Sequence, residues 1–195
     1  MKAAAVLAFV FALLTPAGAG AEPWIIDQPG SRIEMTVQAL GAMHSGRFND
    51  WRGEVRFDPD RPERTQATVV VQAASLTMAN AAMTRRAAGP GFLDPQRHPV
   101  IRFELRSLQP LAADRYTADA VVTLKGVTRP VSFPVGLRVT GDRAHLTGSF
   151  ALNRADFGIG TSGPWNRLIG RQVTVRVSLQ ARRDPARPTP RPPRP

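Results

Sequence analysis

Alternation of apolar and polar residues in the segment 121–139, VVTLKGVTRPVSFPVGLRV, constrains the fold of this chain more than any other feature. Val122 and Leu124 lie two residues apart, and a second apolar row over residues 131–139 keeps the same spacing. A period of two places one apolar row on one face of a β-strand. Gly126, between the two runs, permits a turn with positive φ, so the segment predicts an antiparallel hairpin. A hairpin alone cannot bury its apolar face, so other strands must complete the structure.

The same alternation recurs along the chain and predicts an all-β antiparallel domain of about eight strands. Residues 28–31 (QPGS) read as a turn, and Asn80–Ala88 as the only short helix. A sandwich and a barrel both satisfy this pattern. Gly136 and Gly148 within apolar rows, together with a bulge near Trp51, favour a closed barrel. Eight strands leave room for packed side chains or for one elongated ligand.

The two ends of the chain differ in composition from the middle. Lys2, the apolar run 3–14 and Ala19-Gly20-Ala21 predict a cleaved signal peptide over residues 1–21, and hence a periplasmic protein. Residues 182–195 hold six prolines and five arginines, which predicts a disordered tail. Residues 22–181 remain as one domain.

The formal charge of +11 comes mostly from arginines spaced singly along the predicted strands. This distribution is typical of a solvated sheet face, and the basic residues are not interleaved with aromatic ones, so nucleic acid is not an expected partner. The basic tail favours peripheral contact with an anionic membrane. The sequence has no cysteine, which excludes thiol chemistry and disulfides.

Asn153-Arg154-Ala155-Asp156-Phe157-Gly158 resembles the N-R-x-D-F-G signature of the YceI-like family. Residues 124–131 (LKGVTRPV) resemble its L-x-x-G-V-T-x-P-V hairpin over the part G-V-T-x-P-V, with one residue instead of two between Leu124 and Gly126. Three further stretches agree in order, namely Ile26-Asp27 with Ser31, Gly46-Arg47-Phe48 with Gly53, and Phe92-Leu93-Asp94 with His98-Pro99. Any one of these motifs is weak evidence for the family, but five of them in the same order along the chain are specific to it.

The resemblance implies an extended lipocalin-like barrel in the periplasm that holds a long apolar molecule, such as a polyisoprenoid, an isoprenoid quinone or a fatty-acid-like chain. It implies no enzymatic activity. On this reading a ligand would lie among nine positions of the apolar rows: Met35, Val37, Phe57, Val71, Phe103, Val122, Leu124, Phe133 and Phe150. Composition alone does not separate a hollow barrel from a filled one, and the resemblance favours the hollow one.

Five polar or aromatic residues are candidates for contacts with a ligand headgroup or at the end of the barrel: Arg85, Arg86, Arg154, Asp156 and Trp165. Arg154 and Asp156 are expected to form an ion pair that closes a corner of the barrel, and the alternative is that either residue caps the loop that follows. The family often has R-D-x-H-L in the helix region, whereas residues 83–87 here read MTRRA. The polar contact that the family motif serves therefore does not carry over.

The sequence gives no sign of a catalytic or metal site. Its three histidines, His44, His98 and His145, lie on separate segments without metal-ligand spacing, and we expect no metal, no cofactor and no catalytic residue. The prediction is a non-enzymatic lipid-binding protein, monomeric or homodimeric, whose only bound molecule is its lipid. The alternative is an interaction module with a filled core that acts at the membrane surface.

Overall fold

The computed structural model describes residues 22–58 and 61–185. The predicted signal peptide and residues 186–195 of the predicted tail lie outside the described residues. The strands are β1 Glu22–Ala39, β2 Ala42–Phe48, β3 Trp51–Phe57, β4 Gln66–Gln72, β5 Leu76–Met78, β6 Val100–Ala112, β7 Arg115–Leu124, β8 Val127–Thr140, β9 Arg143–Asn153 and β10 Ile169–Arg183. The helices are α1 Ala81–Ala87 and α2 Trp165–Leu168, and 3₁₀ turns cover Pro62–Arg64, Ala73–Ser75 and Arg154–Phe157.

These strands form a closed antiparallel barrel. Around the ring the order is β1, β3, β4, β6, β7, β8, β9 and β10, and β10 pairs again with β1. Strand β3 pairs with the start of β1, and β2 pairs with its end, on the same edge. Strand β5 pairs with β2. Strands β2 and β5 therefore lengthen the wall of the barrel and are not counted among the eight strands of the ring. The predicted eight-stranded barrel is confirmed, and the sandwich is wrong.

The seam between β1 and β10 passes over residues 28–31, which the sequence predicted as a turn. That prediction is wrong, because β1 continues through these residues as a bulge between Asp27, opposite Gln180, and Arg32, opposite Ser178. The Ser31 hydroxyl donates to Asp27 O at 2.6 Å and accepts from Gln180 N at 2.9 Å. Backbone groups of both strands are thereby satisfied where the ladder is interrupted, and the strand need not end.

The hairpin between β7 and β8 agrees with the sequence prediction. Lys125 and Gly126 form its two-residue turn with φ values of 51° and 76°. Positive φ at both central residues is the geometry that matches the twist of the flanking strands. The Lys125 ammonium donates to Pro90 O at 3.2 Å and ties this turn to the segment after α1.

Helix α1 falls within the predicted helix Asn80–Ala88. The Asn80 side chain accepts from Met83 N at 2.9 Å and caps the helix. The sequence predicted one helix only. The structure has a second, the single-turn helix α2, so that expectation is wrong. Neither helix in the described ranges is long and apolar enough to cross a bilayer.

The last strand ends two residues beyond the boundary predicted between domain and tail at residue 181. Strand β10 runs to Arg183, where Trp24 pairs with Arg183 and Ile25 with Arg182. The Arg183 guanidinium lies 2.8 Å from the Glu22 carboxylate and 5.5 Å from the centre of the Trp24 ring. The domain boundary at residue 181 stays a prediction, and the strand itself continues over Arg182 and Arg183.

The two ends of the barrel are built differently. We call the mouth the end formed by α1, α2 and the β1–β2 turn Leu40–Gly41. We call the far end the opposite one, where the β6–β7 turn at Ala113–Asp114 and the β8–β9 turn at Gly141–Asp142 lie. Buried apolar residues near the mouth include Phe48, Leu93 and Phe157, and those near the far end include Trp24, Phe57 and Leu108.

Candidate functional site

A cavity of about 510 Å³ occupies the interior of the barrel. Its wall is made by the inward rows of the strands, because side chains at every second position of a strand point to the same face. All nine positions predicted from the apolar rows line this cavity: Met35, Val37, Phe57, Val71, Phe103, Val122, Leu124, Phe133 and Phe150. Whether they contact a ligand stays a prediction.

Three phenylalanines occupy the middle of the wall. The ring centre of Phe133 lies 4.7 Å from that of Phe150 and 6.3 Å from that of Phe103. Gly148 faces the same space, where a Cβ atom would lie 3.1 Å from both Phe133 and Val135. Contacts of that length are tighter than ordinary packing, so the absence of a side chain at Gly148 makes room for the aromatic rings.

Polar groups are rare along the cavity. The ionisable or hydroxyl-bearing side chains in its wall are His44, Thr65, Arg86 and Arg154. At the far end, Thr65 Oγ1 and the Trp24 indole N–H are buried and have no hydrogen-bond partner among the described residues. A wall of this kind binds by excluding water from hydrocarbon, which favours an apolar ligand and gives little selectivity between chains of similar width.

The cavity opens at the mouth. Among the side chains that line it, the exposed ones are Leu40, Ala82 and Arg86, and all three lie at that end. Wall residues near the far end, such as Trp24, Phe57 and Leu108, are 4%, 4% and 2% exposed. A long molecule therefore has its way in beside α1 and the β1–β2 turn.

Arg154 organises the loop on one side of the mouth. It is 2% exposed, and its three guanidinium nitrogens donate to five main-chain oxygens at 2.6–3.0 Å. Those oxygens belong to Ile159, Gly160, Asn166, Ile169 and Gly170. Burial, and secondarily the charge of Arg171, lowers the pKa of the Arg154 guanidinium, which nonetheless stays protonated in proteins. Arg154 is thus a structural cation whose donors are already occupied.

Asp156 does not pair with Arg154, and the ion pair expected from the sequence is wrong. The Asp156 carboxylate is exposed and accepts from the Asn153 side-chain amide at 2.9 Å. The side-chain oxygen Oδ1 of Asn153 in turn accepts from Ala155 N at 3.1 Å, which starts the 3₁₀ turn. Main-chain carbonyls offer Arg154 more acceptors in a buried place than one solvated carboxylate does, and they satisfy all its nitrogens.

Arg86 and Trp165 meet at the mouth, as two of the predicted headgroup candidates. The Arg86 guanidinium carbon lies 4.3 Å from the centre of the Trp165 ring, and Phe92 packs edge-on to the same ring at 6.3 Å. Both Arg86 and Trp165 line the cavity, whereas Arg85 is exposed on α1 and does not. Arg86 and Trp165 therefore meet at the opening of the cavity, and contact of either residue with a ligand headgroup stays a prediction.

The histidines are apart from one another. His44 lines the mouth, with Nε2 3.1 Å from Ala39 O, and His145 lies on the outer face of β9, 3.0 Å from the Ser178 hydroxyl. Within residues 22–58 and 61–185, no group of three histidine, aspartate or glutamate side chains is arranged to hold a metal ion.

Sequence reasoning missed several residues at the mouth, of which Leu40 is the most informative. It lies in the β1–β2 turn, where polar residues or glycine are usual. The sequence does contain a sign of this, because an apolar leucine stands directly before Gly41, between two runs of alternating residues.

Solved structures with the same fold come from several bacteria. BcnA of Burkholderia cenocepacia superposes with a TM-score of 0.76 at 21% identity, over 80% of this chain and 98% of that one. A polyisoprenoid binding domain from Saccharophagus degradans superposes with a TM-score of 0.64 at 15% identity, over 84% of this chain and 99% of that one. At these identities the likeness shows a shared fold.

Comparison of sequences shows the family as well as the fold. A UPF0312 protein of Pseudomonas syringae pv. tomato is 30% identical over 184 residues, which cover 89% of this chain and 95% of the relative. A UPF0312 protein of Pseudomonas putida is 29% identical over 185 residues, with the same coverage of both chains. The sequence model of the YceI-like domain matches residues 24–181, from the start of β1 to near the end of β10. The chain belongs to the YceI-like family.

Proposed function

We propose that this chain is a periplasmic, non-enzymatic binding protein that holds one long apolar lipid inside its barrel. The observation that carries the proposal is the cavity of about 510 Å³, which is lined almost throughout by hydrocarbon and opens at the mouth. The predicted signal peptide, residues 1–21, supports the periplasmic location.

A polyisoprenoid, an isoprenoid quinone or a fatty-acid-like chain suits such a wall. Each methylene moved from water into the cavity contributes about 0.8 kcal/mol, so a five-carbon isoprene unit contributes roughly 3–4 kcal/mol before ordering costs. A few units are enough for tight binding. The barrel of the Saccharophagus degradans polyisoprenoid binding domain has the same fold, which supports this ligand class.

The polar end of the lipid lies at the mouth, beside Arg86 and Trp165. Arg86 is exposed, stacks on Trp165 at 4.3 Å and reaches the cavity, so its donors are free to meet an oxygen-bearing or anionic headgroup. Arg154, although close by, has its donors occupied by main-chain carbonyls. The headgroup contact therefore depends on Arg86, and Arg154 holds the loop that positions Trp165.

The alternative, an interaction module with a filled core, is disfavoured by the same observation. A filled barrel would have its inward rows in mutual contact, as protein interiors are close-packed. Here Phe103, Phe133 and Phe150 contact one another and still border the cavity.

The test combines extraction with one variant. Organic extraction of the purified protein, followed by mass spectrometry, is expected to release an apolar chain in stoichiometric amount. Phe103→Glu places a carboxylate in the middle of the wall, where water can solvate it once the lipid leaves. We expect this variant to fold, judged by circular dichroism, and to release no lipid.

Arg102→Glu is the matched control, because Arg102 is the exposed neighbour on the outer face of the same strand. It should retain the lipid at the wild-type amount. A lipid-free wild-type protein from several preparations, or a Phe103→Glu variant that keeps its lipid, would contradict the proposed function.

A further inference from the structure

Large apolar side chains are exposed around the mouth. Leu40 is 64% exposed, Met43 66% and Leu168 41%. They are neighbours, because Leu40 N donates to Leu168 O at 2.9 Å and Met43 lies two residues beyond the turn Leu40–Gly41. Clustered exposed apolar residues beside a cavity are typical of an interaction surface rather than of ordinary protein surface.

The backbone at Leu40 adds a second observation. Its φ is 51°, in the left-handed region that branched and bulky side chains seldom adopt. Hairpin turns of this geometry prefer asparagine, aspartate or glycine, and Asp114 has that role at the far end with φ of 55°. Leucine at this position gains little from packing, since most of its surface is exposed. A strained and exposed leucine indicates a role outside the fold.

Basic side chains surround this apolar cluster. Arg85, Arg86, Arg167 and Arg171 are exposed on α1, α2 and the start of β10. On the same loops, the Asp94 carboxylate is already paired with Arg97 at 3.4 Å, and Asp156 is an exposed acid. The charge around the mouth is therefore strongly positive.

We propose that the mouth docks face-down on an anionic phospholipid bilayer, with Leu40, Met43 and Leu168 in the interface and the arginines among the headgroups. The proposal rests on the proposed function, because the docked surface gives the cavity its supply of lipid. Leu40 belongs both to this surface and to the cavity wall. A lipid chain can pass from the bilayer into the barrel along apolar surface, without exposure to water.

An anionic bilayer suits this surface better than a second copy of the chain does. In a two-fold symmetric dimer the same patch meets itself, so the basic surface of Arg85, Arg86, Arg167 and Arg171 would face an identical basic surface. Like charges in contact disfavour such a pairing, whereas phosphate and carboxylate headgroups complement them.

The first experiment measures flotation of the full mature chain with vesicles of equimolar phosphatidylglycerol and phosphatidylcholine. The double variant Met43→Glu, Leu168→Glu, which alters two exposed residues of the mouth that do not line the cavity, is compared with Leu111→Glu, which alters an exposed leucine, 59%, near the far end. We expect the mouth variant to weaken binding about tenfold or more and the control to stay within about twofold, since the basic tail is common to both.

The proposal would be overturned if vesicle binding fell equally in both variants or did not fall in the mouth variant. It would also be overturned if the wild type bound vesicles of phosphatidylcholine alone as strongly as anionic ones. So would a dimer in vesicle-free buffer that the mouth variant converts to a monomer, because the surface would then belong to a self-interface. Analytical ultracentrifugation of the same samples decides that point.

The second experiment determines the orientation. Because the sequence has no cysteine, Met43→Cys and Leu111→Cys can each be labelled at one site with a polarity-sensitive dye. On anionic vesicles the emission at position 43 should shift to the blue and that at position 111 should not. Equal shifts, or none, would contradict docking by the mouth.

Lipid binding in vesicle-free buffer separates the two proposals. A short fluorescent fatty acid that binds the wild type and the mouth variant equally, while only the wild type floats, supports both. Binding of that fatty acid by a protein that does not dock through the mouth leaves the cavity function intact and overturns the docking surface. Docking by a protein that takes up no fatty acid overturns the cavity function instead.

Discussion

The mouth and the far end of the barrel are stabilised by different forces. At the far end Trp24, Phe57 and Leu108 are almost fully buried and pack together. At the mouth a loop is held open by the hydrogen bonds that Arg154 makes to main-chain carbonyls. Apolar packing is non-directional and closes the space it fills, whereas directional hydrogen bonds can fix a frame around an opening. The difference explains how one end admits a ligand and the other retains it.

The largest effect is expected from Arg154→Met, which keeps much of the side-chain volume and removes every donor. Five buried or half-buried carbonyls would lose their partner, at a cost of about 3–5 kcal/mol in the free energy of unfolding. Urea denaturation measures it. Arg86→Met is the matched control at the same end, and the loss of one exposed cation–π contact should cost about 1 kcal/mol or less. Similar losses in the two variants would show that the loop does not depend on Arg154.

Leu108→Ala examines the packed end. Truncation of a leucine that is 2% exposed should lower the free energy of unfolding by about 2–4 kcal/mol, through lost burial and an enlarged cavity. The same truncation at Leu168, which is 41% exposed at the mouth, should cost less than about 1 kcal/mol. Thermal unfolding of both variants tests the comparison, and a larger loss at Leu168 would reverse it.

The end of β10 is the next target. Removal of residues 182–195 takes away the ion pair of Arg183 with Glu22 and its contact with the Trp24 ring, so we expect a loss of about 1–2 kcal/mol. Removal of residues 186–195 alone should leave the melting temperature unchanged. If both truncations melt alike, Arg182 and Arg183 contribute nothing to closing the far end.

The smallest effect, and one of opposite sign, is expected at the β1–β2 turn. Leu40→Asn replaces a bulky residue at φ of 51° with one that tolerates the left-handed region, and should raise stability by about 0.5–1 kcal/mol. The same variant should bind anionic vesicles less well. Calorimetry and flotation of one preparation measure both, and a variant that is destabilised would show that Leu40 packs more than its exposure indicates.

Periodicity predicted the wall of the barrel well, because the inward or outward direction of a strand residue is a local property. Spacing placed Met35, Phe103 and Phe150 on the inward face of their strands, the family resemblance suggested that this face lines a hollow, and all three line the cavity. The turn at Lys125-Gly126 was equally local, since it depends on a glycine at positive φ.

What the sequence did not predict depends on contacts between distant segments. The acceptors of Arg154 extend to Gly170, sixteen residues away, and are main-chain oxygens that carry no sequence signal. Asp156, two residues away, was the visible partner and the wrong one. The bulge at Ser31 is likewise stabilised by Gln180, and no pattern near Ser31 indicates that strand.

The seam at Ser31 also affects how the chain folds. Its partner Gln180 lies 149 residues further along, so the first and last strands must meet before the barrel closes. Contacts of such separation form late and slowly, because the entropy of closing so long a loop opposes them. Until β10 arrives, the edges of β1 and β9 are unpaired and open to pairing with other chains. Folding of this protein is therefore expected to wait for its last strand, and a chain shortened before β10 is expected to aggregate.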